Sequence, residues 1–263
     1  MAESFELERA LDVARRAVDA ASEACLRWFE RDAGVKWKQD GTPVTNADRD
    51  AEDAIVRIIR DVFPDHAILA EESGAMEGDA ETRWIIDPLD GTHRFARGMP
   101  FWGPLIALEH KGEVVVGAMA LPTQEQSFWA ARGMGCWRDG VRVNVSDETD
   151  WRRSNLSLGA IGRILETPAR DGVLKLIETS TYTISGGDLA GAALVLTGQA
   201  EAWIESGVKI WDIAPFKVMV EEAGGMFTDF EGGGRIDTGR AVASNGTLHR
   251  HVLEAIMSGG IAR

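Results

Sequence analysis

The segment Trp84-Ile-Ile-Asp-Pro-Leu-Asp-Gly-Thr92 runs an apolar stretch into two carboxylates three residues apart, followed by a Gly-Thr pair. Hard divalent cations take carboxylate and carbonyl oxygens, so Asp87, Asp90, the Leu89 carbonyl and the Thr92 hydroxyl can all serve as ligands. The amides of Gly91 and Thr92, at a helix start, can hold a phosphate. A plain Asp-Gly turn has the same composition. Three further acidic positions tilt the balance toward metal chemistry: Asp48 in Pro43-Val-Thr-Asn-Ala-Asp48, Glu71 in Ala70-Glu-Glu-Ser73, and Asp212 in Ile210-Trp-Asp-Ile-Ala214.

Rival chemistries fit less well. Cys25 with Arg31 and Cys136 with Arg142 each satisfy the Cys-x5-Arg spacing of cysteine phosphatases. Cys25, however, falls on the apolar face of a helix, and Cys136 sits in a Gly-rich turn region with no helix directly after it, so inert thiols are expected. Haloacid-dehalogenase phosphatases separate their aspartates by one residue, which places both on one face of a strand. Here two residues intervene, so alternation puts Asp87 and Asp90 on opposite faces unless the chain turns, which Pro88 encourages. No Gly-x-Ser-x-Gly or His-Glu-x-x-His motif occurs, and the two cysteines are too few for a disulfide framework or a structural zinc site.

The elements that must position these residues read as follows. From Phe5 to about Arg31, apolar residues every three or four positions give a long amphipathic helix that should cross a sheet. The Lys-rich segment Gly34 to Pro43 is aperiodic, and a second helix from about Ala47 to Phe63 is closed by Pro64. Ala67 to Ala70 and Arg83 to Ile86 are short strands ending in the acidic residues, where α/β proteins keep their chemistry. Leu105 to Leu108, Val114 to Leu121 and Ser127 to Ala131 form an antiparallel meander. The charged stretch Ser146 to Ser154 marks the boundary between an N-terminal half, 1–145, with most candidate ligands, and a C-terminal half, 146–263, contributing Asp212. Beyond it are strands near Leu156 to Leu158 and Ala202 to Glu205. The helices there are Arg170 to Glu178, Asp188 to Thr197, Asp212 to Ala223 and Leu248 to Met257.

With 263 residues, 44 % hydrophobic and 27 % charged, the chain can bury a sizeable core, and disorder is excluded. Its formal charge of −14 makes nucleic acid and anionic membrane poor partners. No apolar run approaches a membrane span and the acidic start lacks a signal peptide's features, so a cytoplasmic protein is expected.

Taken together, the four acidic motifs resemble the inositol monophosphatase superfamily of Mg2+-dependent, lithium-sensitive phosphatases. The likeness covers nearly the whole chain and includes Glu222-Ala-Gly-Gly225 and Ala243-Ser-Asn-Gly246. Asp90-Gly-Thr-His-Arg-Phe-Ala-Arg-Gly-Met-Pro-Phe-Trp102 and Phe128-Trp-Ala-Ala-Arg-Gly133 are most similar to its histidinol-phosphate phosphatase branch. The resemblance implies an α/β fold, a layered αβαβα sandwich of the inositol monophosphatase and fructose-1,6-bisphosphatase type. It also implies hydrolysis of a small phosphate monoester by a metal-activated water, without a phosphoenzyme, and a homodimer. Glu71, Asp87 and the Leu89 carbonyl would bind one Mg2+, and Asp87, Asp90 and Asp212 a second. Glu71 would help retain a weaker third. Thr92, paired to Asp48, would position and deprotonate the water, Gly91 and Thr92 would hold the phosphate, and Lys38 would close over the site.

At the leaving-group end, Asp188 in Gly186-Gly-Asp188 and Glu205 in Ala202-Trp-Ile-Glu205 match positions that line the alcohol in family sites. Two carboxylates there would favour the cationic alcohol of L-histidinol phosphate, in histidine biosynthesis. Asp188 as a simple helix cap is the alternative. The family usually has Asn or Ser where Arg94 stands, so His93 and Arg94 are either substrate contacts or a solvated helix face. Inositol 1-phosphate is the second substrate. Fructose 1,6-bisphosphate and 3′-phosphoadenosine phosphates follow, and a scaffold or regulatory binding protein on the same fold is the non-enzymatic reading.

Overall fold

The structure is a computed structural model that describes residues 2–31, 34–37 and 43–258, without the side chains of residues 2–5 and 188. In chain order it contains α1 (Ala2–Trp28), β1 (Lys36–Trp37), β2 (Pro43–Val44), α2 (Asn46–Val62), β3 (His66–Ala70), β4 (Gly74–Met76), β5 (Asp79–Asp90) and α3 (Thr92–Phe95). A meander follows: β6 (Gly103–His110), β7 (Glu113–Leu121), β8 (Gln126–Ala131), β9 (Cys136–Arg138) and β10 (Val141–Val143). Then come β11 (Asn155–Leu158), α4 (Ile161–Leu165), α5 (Arg170–Thr179), β12 (Tyr182–Ile184), α6 (Asp188–Leu196) and β13 (Ala202–Ser206). The chain closes with α7 (Ile210–Glu222), β14 (Met226–Thr228), β15 (Arg240–Ser244) and α8 (His249–Ser258).

Two mixed sheets carry the fold. Eight strands run in the order β10-β9-β8-β7-β6-β5-β3-β4, and five in the order β12-β11-β13-β15-β14. Alternation along the strands sorts the apolar side chains into layers. Trp84, Ile86, Ile106 and Leu108 face α1 and α2, packing on Ala14, Ala17, Ala21, Ala51 and Ile55. Their neighbours Ile85, Leu105 and Ala107 point the other way, onto Leu189 of α6 and Ile213, Phe216 and Met219 of α7. The five-stranded sheet repeats the device: Trp203, Ala241 and Ala243 join that middle layer. Ala202, Ile204 and Val242 pack outward on Ile164, Val173, Leu176, Val252 and Ile256 of α4, α5 and α8. Helices and sheets therefore alternate in five layers, with α6 and α7 between the sheets.

The small residues of α1 allow its close approach to the large sheet, as its amphipathic pattern anticipated, although it ends at Trp28 and not at Arg31. The strand expected over Arg83 to Ile86 is twelve residues long. Its pairing with β6 is regular from Thr82 opposite His110 to Asp87 opposite Leu105, then shifts so that Asp90 lies opposite Gly103. One extra residue at Pro88-Leu89 makes this bulge, and a bulge inverts the alternation. It supplies the turn that the spacing of Asp87 and Asp90 required.

Under the five-stranded sheet, the fully enclosed imidazole of His249 lies 2.8 Å from Ser244 Oγ through Nδ1 and 3.0 Å from Thr228 Oγ1 through Nε2. Burial pushes its pKa down from 6.5 to about 4. Between those values the unfolded chain binds more protons than the folded one, so this group's contribution is complete above pH 6.5 and is lost as pH falls through 4. Stability measured by urea unfolding should therefore decline on acidification across that window by an amount on the order of 3 kcal/mol from this residue. His249→Gln should flatten the decline; an unchanged pH slope in that variant would assign the acid sensitivity elsewhere.

Candidate functional site

The C-terminal ends of β3, β5 and β13, the start of α3, and the N-terminus of α7 meet at one cavity of about 240 Å3. Among the described residues its walls include Glu71, Asp87, Asp90, Glu205 and Asp212, with Leu89, Gly91, Thr92, His93 and Trp203, and no lysine or arginine side chain. Five carboxylates facing one cavity make it attractive to cations.

Asp87, Asp90 and Asp212 each offer an oxygen such that all three lie within 4.8 Å of one another. Backbone amides hold them in place. Leu89 N donates to Asp87 Oδ1 at 2.9 Å, Leu189 N at the start of α6 donates to Asp90 Oδ2 at 2.8 Å, and Lys209 N donates to Asp212 Oδ2 at 2.7 Å. Each carboxylate is thus oriented before any cation arrives. Asp87 is 2 % exposed, and burial together with the charges of Glu71, Asp90 and Asp212 raises its pKa well above the usual carboxylate range. Such mutual repulsion among oxygen donors is relieved by a hard divalent cation, so the residues present fit Mg2+. Glu71 borders the same cavity but stands outside the group of three.

Asp48 has two tasks. As the third residue of α2 it accepts Thr45 N at 2.7 Å and the Thr45 hydroxyl at 2.6 Å through Oδ2, closing a capping box. Its Oδ1 accepts the Thr92 hydroxyl at 3.1 Å, and that hydroxyl also lies 2.9 Å from the Leu89 carbonyl. Burial raises the Asp48 pKa, opposed by the Thr45 hydrogen bonds. Gly91 caps the short α3 at φ 81°, in the left-handed region, and a Cβ there would stand 2.8 Å from the Phe101 carbonyl oxygen. Only glycine suits that turn.

The remaining sequence candidates divide. Glu205 is completely buried at the cavity wall, accepting Ala160 N at 2.7 Å and Ser206 N at 3.0 Å through Oε1, and a side chain at Gly159 would overlap its carboxylate. His93 lines the cavity, with the Trp37 ring 6.3 Å from it in an edge-on arrangement. The Arg94 guanidinium packs against the backbone at Gly187. Asp188 is the first residue of α6, whose N-cap is Gly187, so it is not the N-cap residue; its side chain and the whole of Lys38 lie outside the described residues. Both thiols are buried. Burial drives Cys25 well above the ordinary thiol range and Cys136 up to about 12, so neither is an available thiolate. Cys25 Sγ instead donates to the Pro88 carbonyl at 3.8 Å, beneath the bulge.

Residue reasoning missed Glu52. It lies one helical turn after Asp48, on the same face of α2, and that i, i+4 spacing is the signal that could have revealed it. It also missed the amides of Ala160, Leu189 and Lys209, which no side-chain motif announces.

A model of the inositol monophosphatase family matches residues 6–259. The histidinol-phosphatase of Mycobacterium tuberculosis is 34 % identical over 259 residues, spanning 97 % of this chain and 98 % of that protein. The Nus factor SuhB of Pasteurella multocida is 33 % identical over 253 residues, spanning 94 % and 95 %. Among solved structures, the inositol monophosphatase of Anabaena (Nostoc) sp. superposes with a TM-score of 0.85 at 32 % identity, covering 96 % of this chain and 97 % of that one. The layered α/β sandwich is thus a fold shared with these proteins over almost its full length.

Proposed function

The chain belongs to the inositol monophosphatase family, and from that premise we propose that it hydrolyses L-histidinol phosphate to L-histidinol and phosphate, in histidine biosynthesis in the cytoplasm. One observation carries the hydrolase reading: a cavity walled by five carboxylates, with no lysine or arginine among the described residues that line it, takes up a phosphate ester together with cations. Glu71, Asp87, the Leu89 carbonyl, Asp90 and Asp212 would hold two Mg2+ ions, or three. When bound, these ions supply the positive charge that draws in the phosphate and stabilises both oxygens of an in-line displacement.

The chain's own groups handle the proton. Thr92 donates to Asp48, so its oxygen is set to accept a proton from a water in the cavity as its own passes to Asp48. Burial, by raising the Asp48 pKa, makes that carboxylate a better proton acceptor. The Gly91 and Thr92 amides would face the phosphate. At the leaving-group side, Glu205, with Asp188, His93 and Arg94 nearby in sequence motif or at the rim, would pair with the cationic alcohol, and Lys38 would cover it. The fixed, buried Glu205 carboxylate is what favours a cationic alcohol over a neutral one. Likeness to the Anabaena inositol monophosphatase keeps inositol 1-phosphate as the second reading.

The proposal extends to a division at residues 145 and 146 and to a homodimer. Exposed Phe101 and Tyr182 share a 500 Å3 surface hollow that a second copy would cover, and sedimentation would test it. Among the described residues no helix is long and apolar enough to cross a membrane.

The test is phosphate release from L-histidinol phosphate and from myo-inositol 1-phosphate at matched concentrations, in Mg2+ and in EDTA. The expected result is Mg2+-dependent release with kcat/KM many-fold higher for histidinol phosphate. Preference for the inositol ester would keep the mechanism and overturn the substrate, and release from neither would point to another phosphate ester or to a binding or regulatory role.

A further inference from the structure

Glu71 sits at a difficult point in the chain. Its amide makes the last bond of the β3–β5 pairing, donating to Ile86 O at 3.1 Å, after which the chain reverses into β4. The next two amides, Glu72 and Ser73, have left the ladder and need acceptors. Both find one side chain: Glu72 N donates to Glu52 Oε2 and Ser73 N to Glu52 Oε1, each at 3.0 Å. Glu52 is 5 % exposed, and it rises from α2 one turn beyond Asp48, which holds Thr92.

We propose that Glu52 is a positioning residue for Glu71: its carboxylate clamps the turn at residues 71–73 so that the Glu71 side chain meets the cation alongside Asp87. The proposal rests on the metal-dependent reading of the cavity. Three consecutive amides fixed at both ends leave Glu71 little backbone freedom, and two successive turns of one helix thereby set the relative placement of the Glu71 turn and the Thr92 hydroxyl. Partners that orient a metal ligand from behind commonly change affinity by about 10–100-fold when removed.

The experiment is Mn2+ binding followed by the loss of the free-ion EPR signal, on the full chain and on Glu52→Ala and Glu52→Gln, counting the sites that Asp87→Asn abolishes. Amide hydrogen exchange is read on the same proteins. Expected are a Kd weaker by about 10–100-fold in Glu52→Ala, a smaller loss in Glu52→Gln, which keeps one acceptor oxygen, and faster exchange at Glu72 and Ser73 while the rest of α2 stays protected. At saturating Mg2+ the kcat of both variants should recover toward that of the unsubstituted protein, because the clamp acts on ligand placement and not on the proton path. Unchanged Mn2+ affinity in either folded variant overturns the role, as does lowered thermal stability with unchanged affinity in the folded fraction. Unprotected Glu72 and Ser73 amides in the unsubstituted protein overturn it without any variant. Absence of Asp87-dependent Mn2+ binding in the unsubstituted protein overturns the metal reading itself, and this proposal with it.

Discussion

Asparagine in place of Asp87 is expected to lower Mg2+-dependent phosphate release by about two to three orders of magnitude, the usual scale for losing one preorganised electrostatic group, while stabilising the metal-free protein. Both signs come from the same crowding. Asp87 is enclosed, and Glu71, Asp90 and Asp212 raise its pKa together with burial. A carboxyl whose folded pKa lies above its unfolded value costs stability once pH exceeds that folded value, and costs none below the unfolded value of 3.8. At pH 8 in EDTA the substitution removes that cost, so Tm rises. Mg2+ should raise the Tm of the unsubstituted protein by mass action and leave the variant nearly unmoved. A folded Asp87→Asn protein with ordinary turnover would sink the assignment of Asp87 to the metals.

Thr92→Val is the second large effect. Valine matches the shape of threonine but cannot bridge Asp48 Oδ1 and the Leu89 carbonyl, 3.1 and 2.9 Å from the hydroxyl. Loss of a positioned proton-transfer group lowers kcat by about 10²–10⁴-fold. Asp48 would keep its Thr45 partners, so the cap of α2 and the fold persist. Thr92→Ser restores the hydroxyl and should recover most of the rate. Steady-state kinetics at saturating Mg2+ decides: a valine variant with the original kcat removes the Asp48–Thr92 pair from the chemistry.

Asp48 and Asp212 stood out only through motifs that together resemble a family, whereas Glu71 and Asp87 were legible because each follows an apolar strand that ends in acid. So were the long periodic elements: α1, α2 and the β6–β8 meander lie within a few residues of their expected bounds. What stayed hidden was short or long-range. β4, β9, β10, β12 and β14 have three residues each, too few to display a period of two. β15 is Arg-Ala-Val-Ala-Ser, whose small side chains suit a site between helices and carry little strand preference. The bulge after Asp87 was anticipated only as a turn at Pro88, because register depends on the partner strand, which local sequence does not contain. Likewise Asp90 is oriented by an amide ninety-nine positions away, at Leu189.

If Asp212 serves the metals as proposed, that long-range bond and its placement on α7 would tie the timing of activity to the timing of synthesis. A ribosome that has made the chain as far as Val145 has delivered Glu71, Asp87 and Asp90, but neither Asp212 nor the amide that steadies Asp90. α7 is seated by packing between the two sheets, and the second sheet closes only when β15 pairs with β13 and β14. With the metal ligands assigned as proposed above, the nascent protein would not act on phosphate esters until nearly all of it had been translated and folded, and a product terminated before α7 would be inactive.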